Sequence, residues 1–242
     1  MVSSTPIKER VDQKRSFQTK TKILDAAEAL FSLHGFSGTS LRDIHALSGV
    51  RASLCYYHFG SKDDVLQAVV DRRAAEHQQC ILESLDQCRK EAGNAPLSVE
   101  KLVDAYIRPI VERHWNHGDG WRNYTRLMAY LASESAHLEP KVQFNKYDAV
   151  RQVFVKELQR SVPHASLSQI HWGFFFLRAT LINLLLDTEI VDHQSEGLCD
   201  SSDVDNVIKQ LQWFFSAGFR QQIEKTSSGK RPTSAVRRSA SG

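Results

Sequence analysis

An all-α fold is what this sequence predicts, with a three-helix headpiece holding a helix-turn-helix ahead of a larger helical body. Three observations predict it. Apolar residues recur at helical spacing through most of the 242-residue chain. No segment rich in Val, Ile and Thr alternates with polar residues as a strand would. Between Thr39 and Lys62, TSLRDIHALSGVRASLCYYHFGSK, two short helix patterns meet at the tight turn Gly49-Val50. A helix-turn-helix lays its second helix in the major groove, so the expected chemistry is recognition of double-stranded DNA rather than catalysis.

Composition narrows the class. Hydrophobic residues make up 41% of the chain and charged residues 24%, ordinary for a soluble globular protein. A net charge of +3 is small, but it is unevenly spread. Lys8, Arg10, Lys14, Arg15, Lys20 and Lys22 face only Glu9 and Asp12 before Ile23, and Lys225, Lys230, Arg231, Arg237 and Arg238 face Glu224 at the other end. Cys55, Cys80, Cys88 and Cys199 show neither metal-finger nor disulfide-framework spacing, which fits a reducing cytoplasm. A polar N-terminus and the lack of a long apolar run argue against export and membrane spanning.

In chain order, residues 1–18 lack apolar periodicity and are expected to form a disordered basic arm able to reach phosphates. Residues 19–63 form the headpiece. Its first helix, from Thr19, carries Ile23, Ala26, Ala27, Leu30 and Phe31 on one face and stops at Gly35, with Phe36 anchoring the return. Ser40 is placed to cap the next helix, whose Leu41, Ile44 and Leu47 share a face. Helix geometry turns Ala52, Ser53, Leu54 and Tyr57 outward at the start of the second helix of the motif, and Cys55 and Phe59 inward. Ala52 and Leu54 suit apolar contacts such as a thymine methyl, and Ser53 donates or accepts. Arg51, and Arg42 one helix earlier, suit either a bidentate bond to guanine or a phosphate contact.

Over Lys22 to Leu66, AAEALFSLHGFSGTSLRDIHALSGV followed by YYHFGSKDDVL resembles the DNA-binding domain of the TetR family of bacterial transcriptional regulators. The marks are the face ending in Phe31, Gly35-Phe36, Thr39-Ser40, Ile44, Gly49-Val50, and Tyr56-Tyr57-His58-Phe59 ahead of Ser61-Lys62. The resemblance implies phosphate contacts for Tyr56, Tyr57, His58 and Lys62, and Ser40 belongs to the same expected DNA surface. Arg51 stands where the family commonly has Ser or Thr, Ser53 where Gly is common, and Cys55 where a Leu is buried. The first two positions face the DNA, so the family's base preference is not carried over.

Residues 64–223 form the body. A helix of about seven turns follows Ser61, with Val65, Leu66, Val69, Val70, Ala74, Ile81 and Leu85 on its apolar side, and breaks before Pro96. Ser98 caps a helix interrupted by Pro109, Trp121 begins another, and Pro140 starts a third that ends near Pro163. Ser166 to Asp187 is apolar nearly all round, which predicts burial on more than one face. A polar loop from Glu189 to Asp200 precedes a last helix carrying Ile208, Phe214, Phe215 and Phe219, and a disordered basic tail is expected over 224–242. In TetR-like proteins the last two long helices build the dimer interface, and this pair resembles that arrangement. A homodimer also suits paired half-sites on DNA.

Within the body, Tyr106, Trp121, Tyr124, Trp172, Phe175 and Phe176, together with Arg126, His171, Arg178 and Asn183, are candidates for a small-molecule site, since such sites combine apolar walls with a few polar groups. A buried guanidinium needs a partner. One of Arg126 and Arg178 is therefore expected to meet an anionic ligand, the alternatives being an ion pair with Glu134 or Asp187, or solvent. The order of the body's helices loosely resembles fatty-acid-responsive members of the family. His114, His117 and Asp119 lack a companion hydrolytic motif, so no metal and no cofactor is expected. The resulting expectation is a cytoplasmic regulator, a repressor released by a small, largely apolar ligand. An activator or a ligand-independent regulator is the alternative.

Overall fold

Two capping boxes bracket the recognition segment. The Asp43 N–H donates to Ser40 Oγ at 3.2 Å while the Ser40 N–H donates to Asp43 Oδ2 at 2.9 Å. Ser61 and Asp64 repeat the exchange, both bonds at 3.1 Å. Each box satisfies N–H groups that a helix start otherwise leaves unpaired. The computed structural model describes residues 5–134, 148–186 and 189–228, and among them every regular element is an α-helix.

The headpiece comprises α1 (Thr5–His34), α2 (Leu41–Ser48) and α3 (Ala52–Phe59). The body follows with α4 (Lys62–Ala92), α5 (Val99–Asn116), α6 (Asp119–Glu134), α7 (Asp148–Ser161), α8 (Leu167–Leu186), the short α9 (Ile190–Gln194) and α10 (Val204–Ser228). Ser98 caps α5 as expected, accepting from the Lys101 N–H at 3.3 Å. None of the described helices is long and apolar enough to cross a membrane.

Two apolar cores result. The larger joins α4, α5, α7, α8 and α10 through residues such as Leu85, Leu102, Ile107, Phe154, Ile170 and Phe219. The smaller holds Ile23, Ala27, Phe31, Ile44, Cys55, Val65 and Val69, and it also takes in Leu127 and Leu131 of α6. The headpiece core is thus closed by a helix of the body, and a boundary at residue 63 does not separate two cores.

Several expectations change. The disordered arm of residues 1–18 is helical from Thr5 onward, continuous with α1. Missing apolar periodicity reported the lack of a buried face rather than the lack of a helix. Lys, Arg, Glu and Gln are good helix formers, and Pro6 sits in the first turn, where its missing N–H costs nothing. The last helix runs past the expected boundary at 223 to Ser228, and the polar loop after Glu189 contains α9. Within the single chain α8 buries one face, through Ile170, Gly173, Phe174, Leu177, Leu181 and Leu185, and leaves its other apolar face uncovered. The expected helix start at Pro140 and residues 229–242 of the expected tail lie outside the described residues.

Candidate DNA interface and cavity

α3 is held by its inward side and bare on the other. Cys55 is 2% exposed in the headpiece core, and burial raises the pKa of its thiol. Phe59 is half-buried against the same core. Leu54, Tyr56 and Tyr57 are 41%, 57% and 81% exposed, unusual values for residues of their size. Ser53, Arg51 and Arg42 are exposed, and Ala52 and His58 are half-buried. Arg51 occupies the N-cap of α3 with extended backbone and no side-chain cap bond. The Tyr57 and His58 rings meet edge-on at 5.2 Å. Arg42, Arg51, Ser53, Leu54, Tyr56 and Tyr57 are therefore left accessible on α2, α3 and the turn between them.

Two members of the expected DNA surface are committed elsewhere. The Ser40 hydroxyl is engaged by Asp43 in the capping box. Lys62, expected at a phosphate, is half-buried and has two of its three donors engaged within the chain. Its Nζ donates to the carbonyls of Phe36 at 2.9 Å and Thr39 at 3.0 Å and lies 4.1 Å from the Phe36 ring centroid. Those carbonyls belong to the turn between α1 and α2, whose helix-end acceptors need donors. Lys62 ties that turn to the start of α4.

In the body, α4 to α8 surround a cavity of about 360 Å³. Ile81, Ile110, Met128, Val150, Leu181 and Leu185 supply apolar wall, and His77, Tyr106, Thr125, Asp148, Arg151 and Arg178 supply polar groups. The Tyr106 ring packs edge-on between Phe154 and Phe174, each 5.0 Å away, and burial pushes its hydroxyl pKa up to about 12 although the Arg178 charge works the other way. Arg151 is paired with Asp148 at its own wall. Arg178 makes no ion pair among the described residues.

Of the ten residues expected at a ligand site, only Tyr106 and Arg178 line this cavity. Trp121 and Tyr124 are buried elsewhere, packed on His77 with ring separations of 6.2 and 5.7 Å. Trp121 also carries Arg113 and Arg73 over its ring at 4.1 and 5.0 Å. Arg126 is half-buried beside His114, whose pKa it helps lower. The side chains of Glu134 and Asp187, its proposed alternative partners, lie outside the described residues. His171, Trp172, Phe175, Phe176 and Asn183 are exposed on α8, away from the cavity. Rotation explains Trp172, Phe176 and Asn183, which fall away from the stripe of Phe174, Arg178, Leu181 and Leu185 on the cavity side of α8, whereas His171 is on that stripe but nearly one turn before its first cavity residue.

Sequence reasoning missed His77, although spacing held the signal. It continues the apolar stripe of Val70, Ala74 and Ile81 on α4. Burial, then the Arg113 charge, lowers its pKa to about 4; burial, then Arg122 and Arg126, does the same for His114, whose Nδ1 lies 2.8 Å from Thr125 Oγ1. His117 instead meets the Glu112 carbonyl at 3.1 Å, so the two histidines of HWNHGD serve different partners. His77 and His114 stay neutral in the fold, whereas the unfolded chain protonates them near pH 6.5. Their contribution to stability is whole above that pH and is lost as the pH falls toward 4, up to about 3 kcal/mol each. Urea unfolding between pH 7.5 and 4.5 should show the decline, and a midpoint unchanged below pH 6 would disprove it.

α6 connects the two sites. One side of it lines the cavity through Thr125, Met128, Ala129 and Ala132. The other places Leu127 and Leu131 in the headpiece core, and Asn123 accepts a bond from Ser32 Oγ at 3.2 Å. A buried ion pair reinforces the joint: Glu28 of α1, 2% exposed, accepts from Arg72 at 2.6 Å and Arg73 at 3.2 Å on α4.

Comparison with known proteins agrees with this geometry. Residues 23–69 match the family described as "Bacterial regulatory proteins, tetR family", and residues 104–218 match "Tetracyclin repressor-like, C-terminal domain". An HTH-type transcriptional repressor of Mycobacterium tuberculosis strain H37Rv is 49% identical over 156 residues, covering 63% of this chain and 71% of the relative. The A-factor receptor protein of Streptomyces griseus is 32% identical over 138 residues, 54% of this chain and 50% of the receptor. TtgR, an HTH-type transcriptional regulator of Pseudomonas putida, is 34% identical over 68 residues, and the match spans only 32% of its length. Among solved structures, a TetR-like transcriptional regulator from Rhodococcus sp. RHA1 has a TM-score of 0.55 at 19% identity, covering 83% of this chain and 96% of that one. A likeness at that identity shows the fold alone.

Proposed function

This chain belongs to the TetR family of bacterial transcriptional regulators, and we propose that it is a dimeric, cytoplasmic repressor whose hold on a palindromic operator is released by a small ligand in the body. The observation that carries the proposal is α6, a single helix that lines the cavity with one side and closes the headpiece core with the other. A ligand that displaces Met128 or Ala129 displaces Leu127 and Leu131 with them, because a packed helix moves as a unit. Two headpieces must sit about 34 Å apart to enter successive major grooves, so a small tilt in each breaks the match. Ligand and operator then weaken each other's binding by the same factor.

The dimer forms through the uncovered faces of α8 and α10. Trp172, Phe175 and Phe176 on α8 and Trp213 and Phe214 on α10 are 52% to 69% exposed, more aromatic surface than a monomer ordinarily leaves to water. The ligand is an amphiphile small enough for about 360 Å³, with a carboxylate or carbonyl directed at Arg178 and Tyr106. The A-factor receptor among the relatives, and a structural neighbour titled as a gamma-butyrolactone receptor, support a small-molecule signal of this kind.

Fluorescence anisotropy on a duplex selected from random-sequence DNA tests the reading, with short-chain acids and lactones added in turn. Release by one of them is expected. Arg178→Gln should raise the concentration needed by roughly 10-fold or more, the value of one charged hydrogen bond, while leaving operator affinity unchanged. Binding that tightens with ligand would instead favour an activator or co-repressor scheme.

A further inference from the structure

Among the described side chains of α1 the first buried one is Ile23, so the stretch from Arg10 to Lys22 projects from the headpiece as a rod with no buried side chain, about 20 Å long at 1.5 Å per residue. Over residues 10–22 it carries Arg10, Lys14, Arg15, Lys20 and Lys22 against Asp12 alone. None of these cations is in an ion pair among the described residues. Arg10 and Lys14 lie one turn apart, and Arg15 and Lys22 share a stripe two turns apart. Like charges so placed oppose a helix unless counter-charge meets them.

The rod has no apolar face to offer a partner helix or a bilayer. Its large apolar residues in that span, Val11 and Phe17, are 43% and 72% exposed and lie roughly 120° apart around the axis. Its root, however, adjoins the DNA surface. Partial burial, and after it the nearby Lys20 charge, lowers the pKa of His58 at the end of α3. A polycation of five positive charges against one negative, beginning beside a recognition helix, has its natural complement in a phosphate backbone.

We propose that the N-terminal half of α1 is a second DNA-binding element, a basic helical rod that lies along the phosphates flanking the half-site covered by α3. The proposal rests on the reading of this chain as a DNA-binding protein. The rod adds affinity without adding sequence information, widens the protected site on its outer flanks, and makes binding steeply salt-dependent.

The full-length triple variant Arg10→Gln, Lys14→Gln, Arg15→Gln tests it, since glutamine keeps the helix and removes only charge. On the selected duplex, the slope of log affinity against log salt should fall by about 0.9 for each phosphate that is no longer neutralised, so by up to about 3 per protomer. Hydroxyl-radical protection should retreat from both outer flanks, while the preference for that duplex over a scrambled one stays at the wild-type value. An unchanged slope and footprint would overturn the proposal. Gln13→Pro, which breaks the rod and keeps every charge, should also lose flank protection; if it does not, the helix is not what places the charges. Loss of binding to phosphatidylserine vesicles with an unchanged DNA slope would assign the rod to membranes and overturn it equally. A wild-type protein that shows no preference between duplexes would fail the underlying reading, a result distinguishable from all of these.

Discussion

Replacing Phe176 and Trp213 together by aspartate is expected to halve the particle mass in solution and to weaken operator binding by more than 100-fold. Both side chains line the groove between α8 and α10, and both are more than half exposed in the single chain, at 52% and 69%. Their loss therefore removes nothing from the monomer's own core, which is closed by Ile170, Phe174, Phe215 and Phe219. In a two-fold interface each substitution counts twice. Buried aromatic anchors are worth about 2 to 4 kcal/mol apiece, and a carboxylate placed among the remaining rings adds its desolvation cost. Four such changes exceed what holds a micromolar to nanomolar dimer together. Operator binding falls with the dimer, because a lone headpiece engages one half-site. Sedimentation velocity reads the mass and thermal unfolding confirms that the monomer is folded. A variant that keeps the wild-type mass would place the dimer interface elsewhere.

The second large effect is expected at Gly35. Its backbone sits in the left-handed region, φ +68°, and a Cβ built on it would overlap the outer end of the Tyr130 ring on α6. Gly35→Ala thus meets two penalties at once, about 1 to 2 kcal/mol for the conformation and about 1 to 3 kcal/mol for the overlap. For a chain of this size that corresponds to a fall in Tm of roughly 5 to 15 °C. The overlap is the informative part, since it sits where the turn after α1 meets the helix that lines the cavity. Adding Tyr130→Ala should recover the steric portion and leave the conformational one, so the two changes should be strongly non-additive in a double-mutant cycle. Additive losses would mean that the α1–α2 turn and α6 are not in tight contact. Because α6 moves as a unit, Gly35→Ala is also expected to lower operator affinity even where the protein remains folded.

How far the sequence reached is clearest by comparing α3 with α8. At α3, local rules sufficed. Spacing marked Cys55 and Phe59 as inward and Leu54 and Tyr57 as outward, Ser40 and Ser98 announced their caps, and Gly49 announced the turn. These features depend on residues within a few positions of one another. At α8, local rules ran out: Trp172, Phe175 and Phe176 are as apolar as Phe174 and Leu177, so a one-dimensional pattern ranks them alike. Which of them touch the body, which face outward and which border the cavity depends on the rotation of α8 against α5, α6 and α7. Lys62 makes the same point for charge. The family resemblance implied a phosphate contact for it, and only the approach of the Phe36 and Thr39 carbonyls, 26 and 23 residues earlier, shows its ammonium engaged within the chain.

The sequence by itself therefore determined the helical class, the helix-turn-helix and its outward residues, and the family, because helical period, capping and turn chemistry are short-range. The tertiary structure decided that α1 extends as a basic rod, that α6 serves headpiece and cavity at once, and that Tyr106 and Arg178 line that cavity while Trp172 does not. Those outcomes are set by contacts between residues far apart in the chain, where the favourable partner is chosen by packing and no local pattern records the choice.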